Sequence, residues 1–158
     1  MNEVPSLGAR GGGWVVIQFA LMAAILVVWI LGPRWPSAAS WPLIVVGPAL
    51  ALTGVMIAVA AGRVLGSGLT PYPRPPRSGL LIEGGPYRIV RHPFYAGGTL
   101  FLAGLSVAFS PAALALTAGL AVVWALKAQV EERFLRAAYP EYGDYCERTR
   151  YRLLPYVY

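Results

Sequence analysis

EGGPYRIVRHPFYAGGT, residues Glu83 to Thr99, holds the only histidine of the chain, His92, between Arg91 and Pro93. The stretch begins in a basic loop and runs into a long uncharged segment. Proline suits the first turn of a helix, where its missing N–H costs no hydrogen bond. Pro93 is therefore expected to open a membrane helix, with Arg91 and His92 on its threshold. Ionisable groups at such a place are expensive and usually serve a function.

Downstream, Phe94 to Leu126 carries no charge. It is too long for one ordinary span and short for two spans with a loop. Ser110-Pro111 falls in its middle, so the segment is read as a helical hairpin whose second helix continues to about Ala138. Lys127, Glu131, Glu132, Arg133 and Arg136 lie on that continuation, with Glu132 and Arg136 spaced for an i,i+4 pair. Tyr139-Pro140 is expected to end it. Helices joined by a tight turn pack side by side. Tyr95 is 15 residues before Ser110 and Glu131 is 20 after Pro111. At 1.5 Å per residue they stand only about 7 Å apart in depth. The hairpin thus brings Arg91, His92 and Tyr95 towards Glu131 and Glu132.

Upstream, Gly11–Pro33 and Trp41–Gly62 are two further uncharged runs of spanning length. A signal peptide competes for the first, with Ser37-Ala38-Ala39 as a cleavage-like site. The apolar run is long for that role, and a retained anchor is expected. Trp35 and Trp41 mark a membrane–water boundary. Gly47-Pro48 is a candidate kink, which membrane helices tolerate. Residues 1–13 are polar and glycine-rich and are expected to fray. The loop from Arg63 to His92 holds Arg63, Arg74, Arg77, Arg88 and Arg91 against one acid, Glu83. Pro71, Pro73, Pro75 and Pro76 make its middle a stiff strap over the membrane surface. A basic, tyrosine-rich tail, Tyr142 to Tyr158, closes the chain.

Composition agrees with this outline. Charged residues make up 13% of the chain, against about 25% in soluble domains, and the mean hydropathy is +0.58. The reading is an all-α integral membrane protein of about four transmembrane helices, one domain over residues 1–158. Residues 1–62 form two anchoring spans, and residues 63–158 the part that builds a pocket from loop and tail. The lone Cys146 excludes an intramolecular disulfide and a thiolate cluster. The net charge of +6 comes without a nucleic-acid recognition motif. Of the 13 lysines and arginines, only Arg34 falls opposite the termini and the Arg63–His92 loop. The positive-inside rule then puts both termini and the site in the cytoplasm.

Each polar residue has a structural reading beside the functional one. Gly97 and Gly98 suit either close helix packing or close approach of a ligand. His92 suits a hydrogen bond at the helix cap, and Glu131-Glu132 a solvated helix end. A metal site needs more ligands than one histidine and two acids.

Gly85-Pro86-Tyr87, Arg91-His92-Pro93-Phe94-Tyr95, Glu131-Glu132 with Leu135, and then Tyr142, Tyr145 and Pro155 resemble the isoprenylcysteine carboxyl methyltransferase family, related to the membrane phospholipid methyltransferases. The resemblance runs from about Leu80 to Pro155. It implies a helical membrane enzyme using S-adenosylmethionine, with Tyr87, His92, Pro93, Tyr95, Gly97, Gly98, Glu131, Glu132 and Tyr145 around the cofactor. Arg91, Glu131 and Glu132 become the candidate catalytic residues, Arg91 holding either the cofactor carboxylate or an acidic substrate. The tail is expected to fold over the pocket, bringing Tyr145 and one of Arg148, Arg150 or Arg152. The implied reaction methylates a lipophilic acceptor from the bilayer, foremost the carboxylate of an isoprenylcysteine-like or other lipid. The alternatives are phospholipid N-methylation and an NADPH-dependent sterol-type reductase, which shares an Arg-His-Pro element.

Overall fold

Apolar runs punctuated by proline become helices. The computed structural model describes residues 3–76 and 80–157, and for residues 37–41 the backbone alone. Arg77 of the basic loop, Met1 at the start of the polar terminus and Tyr158 at the tail's end lie outside the described residues, as do the side chains of Ser37-Ala38-Ala39 and Trp41. Five helices follow one another: α1 Gly12–Leu31, α2 Ser37–Leu65, α3 Pro93–Phe109, α4 Pro111–Ala138 and α5 Tyr142–Arg148. No strand occurs among the described residues. Three helices are long and apolar enough to cross a membrane, over Gly12–Leu31, Pro42–Gly68 and Pro111–Ala138. The fourth expected span, α3, is shorter at 17 residues. That gives it about 26 Å of axis, slightly under a hydrocarbon core of about 30 Å. The chain is a helical integral membrane protein.

The hairpin forms where Ser110-Pro111 indicated. Ser110 ends α3 and caps α4, its Oγ accepting from Ala113 N at 3.4 Å, and Pro111 takes the first turn. Pro93 opens α3 in the same manner. α4 lies between α1 and α3, and α2 packs on the other side of α3. Ile25, Leu102, Leu120 and Trp124 form the buried apolar centre. Below them, Trp29 Nε1 donates to Ser106 Oγ at 3.2 Å, and that hydroxyl pairs with Thr117 Oγ1 at 3.0 Å. These bonds tie α1, α3 and α4 through groups that apolar surroundings would otherwise leave costly.

The α2–α3 contact is backbone on backbone. A Cβ at Gly97 would stand 2.6 Å from Ala58 N, and one at Gly47 would stand 2.6 Å from Gly104 O. A Cβ at Gly54 would fall on Phe101 N, and one at Gly104 on Ala51 N. Apolar side chains gain nothing by leaving lipid for each other, so small residues that admit close approach decide membrane helix pairing.

Residues 3–11 do not fray. Arg133 Nη1 donates to Glu3 Oε2 at 3.0 Å, Arg133 Nη2 donates to Val4 O, and Trp14 Nε1 donates to Pro5 O at 3.0 Å. The Arg10 guanidinium sits 4.5 Å from the Tyr72 ring centroid. The terminal segment therefore packs on the proline strap, at the same end of the bundle as the close of α4. Arg34 lies at the opposite end, over Phe109.

Gly54→Ala is expected to force α2 from α3 and to cost about 1–3 kcal/mol. Gly119→Ala, on α4 with open space around it, is expected to be neutral or to stabilise by up to about 1 kcal/mol. Melting temperatures of the two variants in the same detergent check the contrast.

Candidate active site

The site begins with the entry to α3. The chain turns at Gly85–Arg88, runs through Arg91 and His92, and enters the helix at Pro93. His92 makes no side-chain capping bond. Instead the tail takes up the backbone donors there: Arg91 N donates to Tyr151 O at 2.9 Å and His92 N to Arg152 O at 2.8 Å. Tyr145 Oη on α5 donates to Tyr87 O at 2.8 Å. The tail folds over this end of the bundle, as the sequence suggested.

Charge fixes the crossing. Glu132 is buried on α4, and its Oε1 accepts from Arg91 Nε at 2.8 Å and from Arg152 Nε at 3.0 Å. His92 Nε2 stands 3.4 Å from the same oxygen, outside hydrogen-bond geometry. Arg91 Nη1 also donates to the carbonyls of Thr149 and Arg150, at 2.8 and 2.7 Å. The expected Glu132–Arg136 pair does not form. Two guanidiniums claim the buried carboxylate, while Arg136 lies over the Tyr142 ring and points Nη2 at Cys146 Sγ, 3.6 Å away.

Glu131 is turned about 100° around the helix from Glu132. Its Oε2 accepts from Tyr95 Oη at 2.7 Å. Tyr95 stacks between His92 and Trp124, with ring centroids 5.6 and 5.7 Å apart. Gly98 leaves room for this stack: a Cβ there would come within 3.0 Å of Trp124.

These groups border a cavity of about 260 Å³, near the small end of the about 300–1,000 Å³ common for small-molecule sites. Of the sequence-derived candidates, Tyr87, Arg91, His92, Tyr95, Glu131 and Tyr145 line it. Glu132 lies behind the wall, Pro93 starts the helix, Gly97 faces α2 and Gly98 faces Trp124. The strap roofs the cavity through Tyr72, Pro73, Pro75 and Pro76, and Leu65, Leu69 and Phe94 give it an apolar side.

Tyr142 was missed as a candidate. It is fully buried against the cavity, and its hydroxyl has no hydrogen-bond partner among the described residues. A buried hydroxyl in that condition is costly. Together with His92 Nε2 it leaves two unbonded polar atoms at the wall. Burial raises the pKa of Tyr87, Tyr142 and Tyr145. For Tyr87 the Glu131 charge adds to this, and for Tyr142 the Glu132 charge does. For Tyr145 the Arg91 charge works against it. All three phenols therefore stay neutral at physiological pH. Among the described residues, no group of three or more His, Cys, Asp or Glu is placed to hold a metal ion.

A family model described as phospholipid methyltransferase matches residues 42–142, from the start of α2 to the first residue of α5. The cobalt-zinc-cadmium resistance protein CzcN of Cupriavidus metallidurans is 32% identical over 144 residues, 89% of this chain. The chain spans 61% of the length of that relative.

Glu132→Gln is expected to release the tail and to destabilise the fold by about 3–5 kcal/mol, because two guanidiniums lose their buried counter-charge. Hydrogen exchange at residues 149–152, accelerated well beyond that of α2, is the measurement that checks it.

Proposed function

Because the chain belongs to the phospholipid methyltransferase family, we propose that it moves a methyl group from S-adenosylmethionine to a lipophilic acceptor held at the membrane surface. Family membership supports a membrane methyltransferase in general. The cofactor and the acceptor are the finer reading. The observation that carries them is the mixed lining of the cavity, with Arg91, His92, Tyr95, Tyr142 and Glu131 beside the apolar Leu65, Leu69 and Phe94.

The residues present fit the cofactor. Two buried polar atoms, His92 Nε2 and Tyr142 Oη, want partners, and S-adenosylmethionine offers a carboxylate and ribose hydroxyls. Glu131 suits its ammonium, and Arg91 or His92 its carboxylate. The face of Tyr87 suits the adenine or the cationic sulfonium, while Tyr95, stacked between His92 and Trp124, offers its edge. When bound, the cofactor supplies an electrophilic methyl whose bond to sulfur breaks as the acceptor forms its own bond to carbon. The protein's share is to orient both reactants and exclude water.

For the acceptor we favour a lipid carboxylate of isoprenylcysteine type. An ionised carboxylate attacks without losing a proton, whereas an ammonium needs a base first. Both acids near the cavity are engaged, Glu131 by Tyr95 and Glu132 by Arg91 and Arg152, so an amine acceptor would have to rely on His92 as its base. The description of the matching family supports a second reading, N-methylation of a phospholipid amine. Family membership favours methyl transfer of either kind over the NADPH-dependent reductase. Among the described residues, the basic ones other than Arg34 lie towards the site end, which supports a cytoplasmic site.

Calorimetry on the purified chain is expected to detect S-adenosylmethionine binding, weakened about tenfold or more by Glu131→Gln or His92→Ala. Labelled-methyl transfer is expected into carboxylate lipids rather than aminophospholipids. Label appearing only in aminophospholipids would select the second reading. Accessibility tags at the amino terminus and beside Arg34 are expected to report opposite sides, the terminus inside.

A further inference from the structure

Lys127 is fully buried between α1, α3 and α4, and the site described so far does not use it. Its Nζ donates to Gln18 Oε1 on α1 at 2.5 Å and to Pro71 O, at the start of the strap, at 2.7 Å. It also stands 5.2 Å from the centroid of the Tyr95 ring. Gln18 is itself buried, and its Oε1 takes a second bond from Trp124 Nε1 at 3.2 Å. Trp124 is the far partner in the aromatic stack that contains Tyr95. One turn further along α4 from Lys127 comes Glu131, held by the hydroxyl of the same Tyr95. A single ammonium thus touches the roof of the cavity at one side and the face of its aromatic wall at another.

Helix pairing alone does not call for a lysine here. Replacing a buried charge by an apolar side chain of similar length is often neutral or stabilising, because the desolvation cost goes with it. What an apolar side chain would lose is the bond to Gln18, the bond to the Pro71 carbonyl and the cation over Tyr95. The first joins α4 to α1; the last two bear on the strap and on a ring packed against the apolar centre. Both fix elements that border the cavity.

We infer that Lys127 is a positioning residue, an ammonium peg that sets the strap at Pro71 and the ring of Tyr95 in their cofactor-binding arrangement. Gln18 is the acceptor that holds the peg. The first helix, which lies outside the residues matched by the family model, then contributes to the site through one amide oxygen. The effect on cofactor affinity rests on the methyltransferase reading above; the effect on the strap does not.

The test uses the full chain in lipid nanodiscs, as wild type, Lys127→Met, Lys127→Arg and Gln18→Leu. Three quantities are read: hydrogen exchange at residues 69–72, affinity for S-adenosylmethionine, and melting temperature. Lys127→Met is expected to exchange about tenfold faster at residues 69–72 and to bind the cofactor about tenfold more weakly, the scale of losing hydrogen bonds from a charged donor. Its melting temperature is expected to stay within about 4 °C of wild type. Lys127→Arg is expected to recover most of both losses. Wild-type exchange at residues 69–72 in Lys127→Met would overturn the proposal, and so would faster exchange spread evenly over α1, α3 and α4. Should Lys127→Met fail to fold, Gln18→Leu carries the same test, with exchange at residues 69–72 about threefold faster. If the wild type binds no cofactor while Lys127→Met still loosens the strap, the cofactor reading fails and the peg stands.

Discussion

One carboxylate oxygen joins three parts of the chain. Glu132 on α4 meets Arg91, 41 residues away at the threshold of α3, and Arg152, 20 residues away in the tail. Burying such a cluster costs desolvation energy, and it holds only because two guanidiniums answer one carboxylate. Its consequences are positional. Arg91, once fixed, also takes the carbonyls of Thr149 and Arg150. The tail then lies where its own carbonyls accept from Arg91 N and His92 N. Without the Glu132 contact, the tail loses its charged tie to α4 and is left to its bonds with Tyr87, Arg91 and His92. Neighbouring acids on one helix thus take different duties: Glu132 holds the frame and Glu131 faces the cavity.

Behind this frame, helix packing sets the depth at which the pieces meet. The glycines of α2 and α3 let the two backbones touch, which fixes the start of α3 against the end of α2. Phe94 and Leu65, one from each helix, then border the same cavity. Gly98 acts on the other face of α3 by admitting Trp124, the base of the stack that carries Tyr95 and His92.

Much of this was legible in the chain itself. The Ser110-Pro111 punctuation, the Pro93 helix start and the Tyr139-Pro140 stop are local signals, and each acts through backbone chemistry that sequence displays directly. The approach of His92 to Glu132 followed from helix rise once the hairpin turn was placed at Ser110-Pro111. Less legible was anything decided by which side of a helix a residue faces. Gly97 reads equally as a ligand contact or a packing contact, and its direction towards α2 settles which surface it meets first. The spacing of Gly47 and Gly54 on one helix, matched by Gly97 and Gly104 on the next, was the available clue to that pairing. The i,i+4 spacing of Glu132 and Arg136 misled because a tertiary partner outcompetes a local one when it is also buried. The folded terminal segment was hidden for the same reason: Glu3 and Arg133 lie 130 residues apart, and composition says nothing of such a pairing.

Under the methyl transfer proposed above, the position of the cavity follows from what each reactant tolerates. A charged cofactor arrives from water and cannot cross hydrocarbon, while a lipid acceptor keeps its chain in the bilayer. A site for both must stand where polar and apolar walls meet. A helical hairpin supplies that place at its open end, where the helices have run past the apolar region and can carry Glu131, Tyr95 and His92. The walls away from the hairpin must come from segments that are not membrane helices, here the proline strap and the tail. Prolines suit the strap because a stiff, extended chain gives up little conformational entropy when it is fixed over a pocket. Fixing it still requires anchors, and the structure provides them from the terminal segment at Arg10 and Tyr72 and from Lys127 at Pro71. The roof is therefore tied to the same helices that carry the wall, so a change in one is felt by the other.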